Sequence, residues 1–67
     1  MAVLKVIEVL ASSPNSWEDA TKKGIEEASK SLKNIESAYV KEHSVNVDGN
    51  QITQYRVNLK ITFRVES

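Results

Sequence analysis

The stretch QITQYRVNLKITFRV, residues 51–65, alternates almost without a break. Tyr55, Val57, Leu59, Ile61, Phe63 and Val65 fall on one side of an extended chain. Gln54, Arg56, Asn58, Lys60, Thr62 and Arg64 fall on the other. A two-residue period held this long predicts a strand with one apolar face against a core and one polar face. The rest of the chain must then supply partners for that strand and a cover for its apolar side.

Just upstream, DGN (48–50) is a hairpin signal, and Ser37 to Val47 reads as the second arm of the hairpin. Before it, Trp17, Ala20, Gly24, Ile25, Ala28, Leu32 and Ile35 recur every three or four residues, which predicts one face of a helix about five turns long. Lys22, Lys23, Glu26, Glu27, Lys30 and Lys33 form the opposite face, with Glu26 and Lys30 spaced as an i,i+4 pair. Either Ser13, before Pro14, or Ser16, before Trp17, can cap this helix; Ser16 is preferred because the apolar period starts at Trp17. Gly24 and Ala28 are small residues on the buried stripe and would let the helix lie close to a sheet. At the N-terminal end, VLKVIEVL (3–10) is rich in β-branched residues. Val3, Ile7 and Val9 lie on one face and Leu4, Val6 and Leu10 on the other, so this strand needs a cover on both sides.

The order is β-α-β-β, an α+β class, with residues 1–67 expected as one domain. A chain of 67 residues is marginal alone and usually gains a disulfide, a metal or an oligomer. It has no cysteine and one histidine, His43, which excludes disulfides, thiolate sites and multi-His metal clusters within one chain. Self-association is the remaining remedy, with copies of the chain covering the second apolar face. Nine basic and nine acidic residues cancel, so no electrostatic attraction to nucleic acid or an anionic membrane is expected. No stretch is long and apolar enough to span a bilayer, and a cytoplasmic location is the default expectation.

No catalytic constellation is visible, and no enzyme is expected. His43 has no triad partner near it in sequence and reads as a solvent-facing or interface residue. Trp17 reads as a core or interface anchor. The DGN tripeptide lacks the distal Glu of a calcium loop and is better explained as a turn. Glu8, Glu36 and Glu42 make no pair in one chain, but symmetry could gather copies of one carboxylate around an axis into a cation site. Arg56, Lys60 and Arg64 alternate as on a nucleic-acid-binding face, but interleaved aromatics are absent.

The opening KVIEVLASSPNSWEDA (5–20) and the ending ITFRVE (61–66), in this element order, resemble the dodecins over essentially the whole chain. The resemblance implies a three-stranded antiparallel sheet partly wrapped around one helix. It also implies a hollow homododecamer of 23-type symmetry. Flavin-binding dodecins stack pairs of flavins between tryptophans that follow the helix, in a stretch like LDWFEV. Here IESAYV (35–40) places Ser37 at that position. A strand glutamine that normally bonds the isoalloxazine edge is matched by Arg56, in YRV (55–57).

The two replacements act together. Loss of a stacking ring removes about 1–3 kcal/mol per flavin if base stacking is a fair guide. A guanidinium donates hydrogen bonds but accepts none, so Arg56 cannot reproduce the amide's paired pattern. A dodecin branch without the tryptophan, the calcium dodecins, is the branch this chain most resembles. The expectation is a dodecameric storage or binding shell for a small molecule or ion, calcium or another divalent cation, with metal ligands unassigned. The alternative use of the same shell is riboflavin or FMN binding in an altered pocket. A third reading is a module whose polar sheet face docks another protein.

Overall fold

A computed structural model of the chain describes residues 2–65. The elements are β1 (Val3–Ser13), α1 (Trp17–Ser29), β2 (Ile35–Asp48) and β3 (Gln51–Val65). The sheet order is β1-β3-β2, with both pairings antiparallel. The alternating strand is therefore central, and the helix lies across one face of the sheet. Val57, Leu59 and Ile61 are buried under Ala20, with Ile7, Val9, Ala11, Ile25, Ala28 and Ile35 packed around them.

Hydrogen-bonded partners across antiparallel strands share a face. The register Ile7↔Ile61, Val9↔Leu59 and Ala11↔Val57 thus sends these pairs inward, while Val6↔Thr62, Glu8↔Lys60 and Leu10↔Asn58 point outward. The predicted second apolar face of β1 is real. Leu4, Val6 and Leu10 are 49%, 56% and 69% exposed, and no element among the described residues lies over them.

Ser16 is the helix cap. Its backbone is extended and its hydroxyl accepts from the Asp19 amide at 2.9 Å, while Ala20 N–H donates to Ser16 O at 3.0 Å. Ser13 instead ends β1, which runs three residues beyond Leu10. There it is buried, donates through Oγ to Asp19 Oδ2 at 2.5 Å and accepts from the Asn15 amide at 3.0 Å. Asp19 also pairs with Lys23 at 3.2 Å. The Ser13 hydrogen bond, then that of Lys23, holds the Asp19 carboxyl below its ordinary value of 3.8.

The helix is shorter than its apolar period suggests: it stops at Ser29, with Lys30 as C-cap. Ser29 Oγ–H donates to Glu26 O at 2.7 Å, and Ser31 N–H reaches back only three residues to Ala28 O at 3.1 Å. Serine side chains compete for the helix's own carbonyls and loosen its end. Asn34 then takes a left-handed φ of 63°, a region asparagine tolerates, and turns the chain into β2. Leu32 and Ile35 keep the apolar spacing but lie outside the helix. Lys30 pairs with Glu27 at 2.6 Å rather than with Glu26.

The hairpin closes through Gly49 and Asn50, since Asp48 already pairs with Gln51. Gly49 has φ 63° and Asn50 does not share the positive sign, the pattern of a type II′ turn. The turn therefore sits one residue later than an Asp-Gly centre would put it.

Gly24 marks the closest approach of helix to sheet. A Cβ there would lie 2.9 Å from Leu59 Cδ1 and 3.1 Å from Ala11 Cβ. Gly24→Ala gains up to about 1 kcal/mol of helix propensity but overpacks a fully buried leucine at a cost of about 1–3 kcal/mol. Chemical denaturation should show Gly24→Ala destabilised by about 1 kcal/mol; a variant as stable as the parent would contradict the packing. For Asp19, a lowered carboxyl pKa contributes stability at pH values above the ordinary 3.8, and that contribution is lost as pH falls through the lower folded value. The melting-temperature gap between wild type and Asp19→Asn should therefore be widest near neutrality and close below about pH 4. A gap independent of pH would contradict the assignment.

Candidate ligand site on the outer sheet face

The outer face of the sheet is formed by Leu4, Val6, Glu8, Leu10 and Ser12 of β1, the even-numbered residues of β3 from 54 to 64, and their β2 partners. Register shifts between Ile35 and Ser37 and between Val40 and Glu42 leave Glu36 and Lys41 as extra residues on β2. Bulges re-aim side chains. Both extra residues reach across to other strands: Glu36 to Arg64 Nε at 3.2 Å, and Lys41 Nζ to Glu8 at 3.7 Å. These pairs are well exposed and add little stability, roughly 0–1 kcal/mol each. They do occupy two of the three carboxylates singled out for a symmetric cation site. The third, Glu42, has no ion-pair partner among the described residues.

Glu42 lines a depression of about 190 Å³ with Leu10, Ser44, Arg56, Val57 and Asn58. Asn58 Oδ1 is buried there without a hydrogen-bond partner. A buried acceptor left alone costs about 1–3 kcal/mol, so the site is incomplete as it stands. Arg56 does not satisfy it. Its Nη1 points instead toward Asn46 Oδ1, at a long 3.5 Å.

The floor of the depression is fixed from the opposite face. Trp17, at the start of α1, donates from Nε1 to the Ser44 carbonyl at 2.9 Å. Its ring is held edge-on between His43 and Tyr55, with centroids 4.9 and 5.2 Å away. Trp17 is thus the anchor its position suggested, and His43 is one wall of that anchor. A ligand-stacking role for Trp17 does not fit, because its ring is engaged on the helix side of the sheet.

Ser37 and Arg56, the two positions matched to the flavin pocket, both face outward but are not neighbours. Ser37 pairs with Thr62, six residues along β3 from Arg56, a separation of about 20 Å at the usual strand rise. One chain therefore does not bring them together. Tyr39, 65% exposed and paired with Lys60, is the aromatic nearest Ser37 on that face. Sequence reasoning missed Asn58, which looked like one more polar residue of an alternating strand. Its cross-strand partner Leu10 is the available clue, because an amide set opposite a leucine lies in partly apolar surroundings.

For calcium, Glu42 and Asn58 offer hard oxygen donors, but six to eight oxygens are needed. Among the described residues no three His, Cys, Asp or Glu side chains come together. No helix among them is long and apolar enough to cross a membrane.

Comparison with known proteins agrees with this architecture. The sequence pattern of the Dodecin family matches residues 3–66. The chain is 35% identical over 65 residues to the calcium dodecin of Mycobacterium tuberculosis, covering 97% of this chain and 92% of that one. The crystal structure of that protein, described as a calcium-chelating antigen with a novel calcium-binding site, aligns with a TM-score of 0.84 over 96% of this chain and 91% of its own. The Streptomyces davaonensis dodecin aligns with a TM-score of 0.94 at 27% identity, covering 98% and 97% of the two chains. A Thermus thermophilus dodecin variant aligns with a TM-score of 0.95 at 27% identity over the full length of both. The chain belongs to the dodecin family, and its sequence resembles that of the calcium dodecin.

Proposed function

We propose that the protein is a non-enzymatic homododecameric shell that binds a small ligand through the outer faces of its sheets, with calcium as the favoured ligand and flavin disfavoured. The observation that carries the reading is the depression at Glu42 and Asn58. Among the described residues it combines a carboxylate without an ion-pair partner and a buried amide oxygen without a hydrogen-bond partner. Both are hard oxygen donors of the kind calcium takes. The shortfall in oxygens is met by repetition: a symmetric assembly presents each donor many times, and copies meeting on an axis complete one coordination shell. Resemblance to a protein described as calcium-chelating supports the same choice. Arg56 opposes a cation by charge, and its turn toward Asn46 lessens that opposition.

The flavin reading is supported by Tyr39, which leaves an aromatic surface two residues from Ser37. Against it stand the missing ring at Ser37 and the donor-only Arg56. Arg56 and Ser37 can share one pocket only if they come from different copies.

Two titrations separate these readings. Calorimetry with calcium chloride, run beside magnesium chloride, should show calcium binding that weakens about tenfold or more in Glu42→Gln, since affinity follows the count of charged ligands. Titrating FMN with the protein should leave flavin fluorescence largely intact. Strong quenching at micromolar protein, with no heat from calcium, would establish the flavin alternative and overturn the calcium reading.

A further inference from the structure

The helix and the sheet it covers differ greatly in length. A 13-residue helix is about 20 Å long at ~1.5 Å per residue. A 15-residue strand runs about 50 Å at ~3.4 Å per residue. The helix seals the middle of the inner face, at Val57, Leu59 and Ile61, and leaves the Phe63 end overhanging. Segment 30–34 folds back toward that end. The Arg64 amide bonds the Asn34 carbonyl at 3.0 Å and ties the segment to β3.

Between the segment and the sheet lies a cavity of about 280 Å³. Leu32, Phe63 and Val65 give it an apolar lining, and Lys5, Lys33 and Arg64 are its cationic groups. Arg64 is paired with Glu36. Lys5 and Lys33 have no carboxylate within ion-pair distance among the described residues. The cavity therefore carries two lysines without a carboxylate partner among the described residues, beside an aromatic ring. Because both lysines line one cavity, an anion bound there is attracted by both.

We propose that this cavity binds a small organic anion: one phosphate, sulfonate or carboxylate group carried on an aryl or acyl body. The charged group meets the ammonium groups of Lys5 and Lys33, and the body lies on Phe63, Leu32 and Val65. The site is separate from the Glu42 depression, since it opens on the helix-bearing face at the far end of β3. Its occupancy is independent of any cation on the outer face, so it stands or falls apart from the proposed function.

The test uses the intact protein and two fluorescent probes of similar shape, anionic 8-anilino-1-naphthalenesulfonate and neutral N-phenyl-1-naphthylamine. The anionic probe should bind wild type, and its affinity should fall about tenfold in Lys5→Gln/Lys33→Gln, as expected for two exposed charge contacts. The neutral probe should be unaffected. Phenyl phosphate and decanoate, added as competitors, distinguish an aryl phosphate from an acyl carboxylate, and displacement by either supports the site. Equal binding of the anionic probe to wild type and the double variant, no binding to wild type, or displacement by neither competitor would overturn it. Because both lysines are exposed, the variant should keep the wild-type melting temperature, and a control Lys22→Gln on the helix surface should bind like wild type.

Discussion

The structure depends on one mismatch: a single helix packs on a three-stranded sheet far longer than itself. Close packing is possible only because Gly24 lets the helix backbone approach Leu59 and Ala11. That contact seals a small core of Ala20, Val57, Leu59 and Ile61. Everything beyond it is left for other means. The molecule is elongated, 51 × 19 × 13 Å, and its outer sheet face has no cover of its own. Side chains as apolar as Leu4, Val6 and Leu10 would each yield about 1 kcal/mol if the remaining exposed half were covered. A chain with so small a core needs contributions of that size.

The same mismatch organises the chemistry. Residues with unmet requirements lie where the helix does not reach. On the outer face, Asn58 Oδ1 lacks a hydrogen-bond partner and Glu42 an ion-pair partner among the described residues. At the overhanging end of the inner face, Lys5 and Lys33 line a partly apolar cavity without a carboxylate partner among the described residues. Trp17 connects the layers, since its indole N–H holds the Ser44 carbonyl behind the outer depression. Ser37 and Arg56, the two positions matched by resemblance to a flavin pocket, both lie on that outer face. Neither residue belongs to the inward-facing set that packs the core.

Most of the fold was legible because it rests on periodicity. The alternation of residues 51–65 defined the central strand with its observed ends, and Ser16 and Gly24 announced the cap and the close approach. The helix end was not legible, because Leu32 and Ile35 keep helical spacing while belonging to a turn and a strand. Apolar spacing reports which side of the chain is buried; it does not report where serines and an Asn in left-handed conformation stop the helix. The site was legible only in part. Ser37 and Arg56 were singled out by resemblance alone, and their separation of about 20 Å follows from register and the usual strand rise, which composition does not reveal. Asn58 escaped notice because the clue, Leu10 set opposite it, depends on the strand register rather than on the alternation of β3 itself.

The central claim is that the uncovered outer face is completed by other copies of the chain. Light scattering on the protein eluting from a sizing column tests it most directly. The account predicts a mass of about 90 kDa, twelve copies of the 7.5 kDa chain. A stable, folded species with the mass of one or two chains would contradict it.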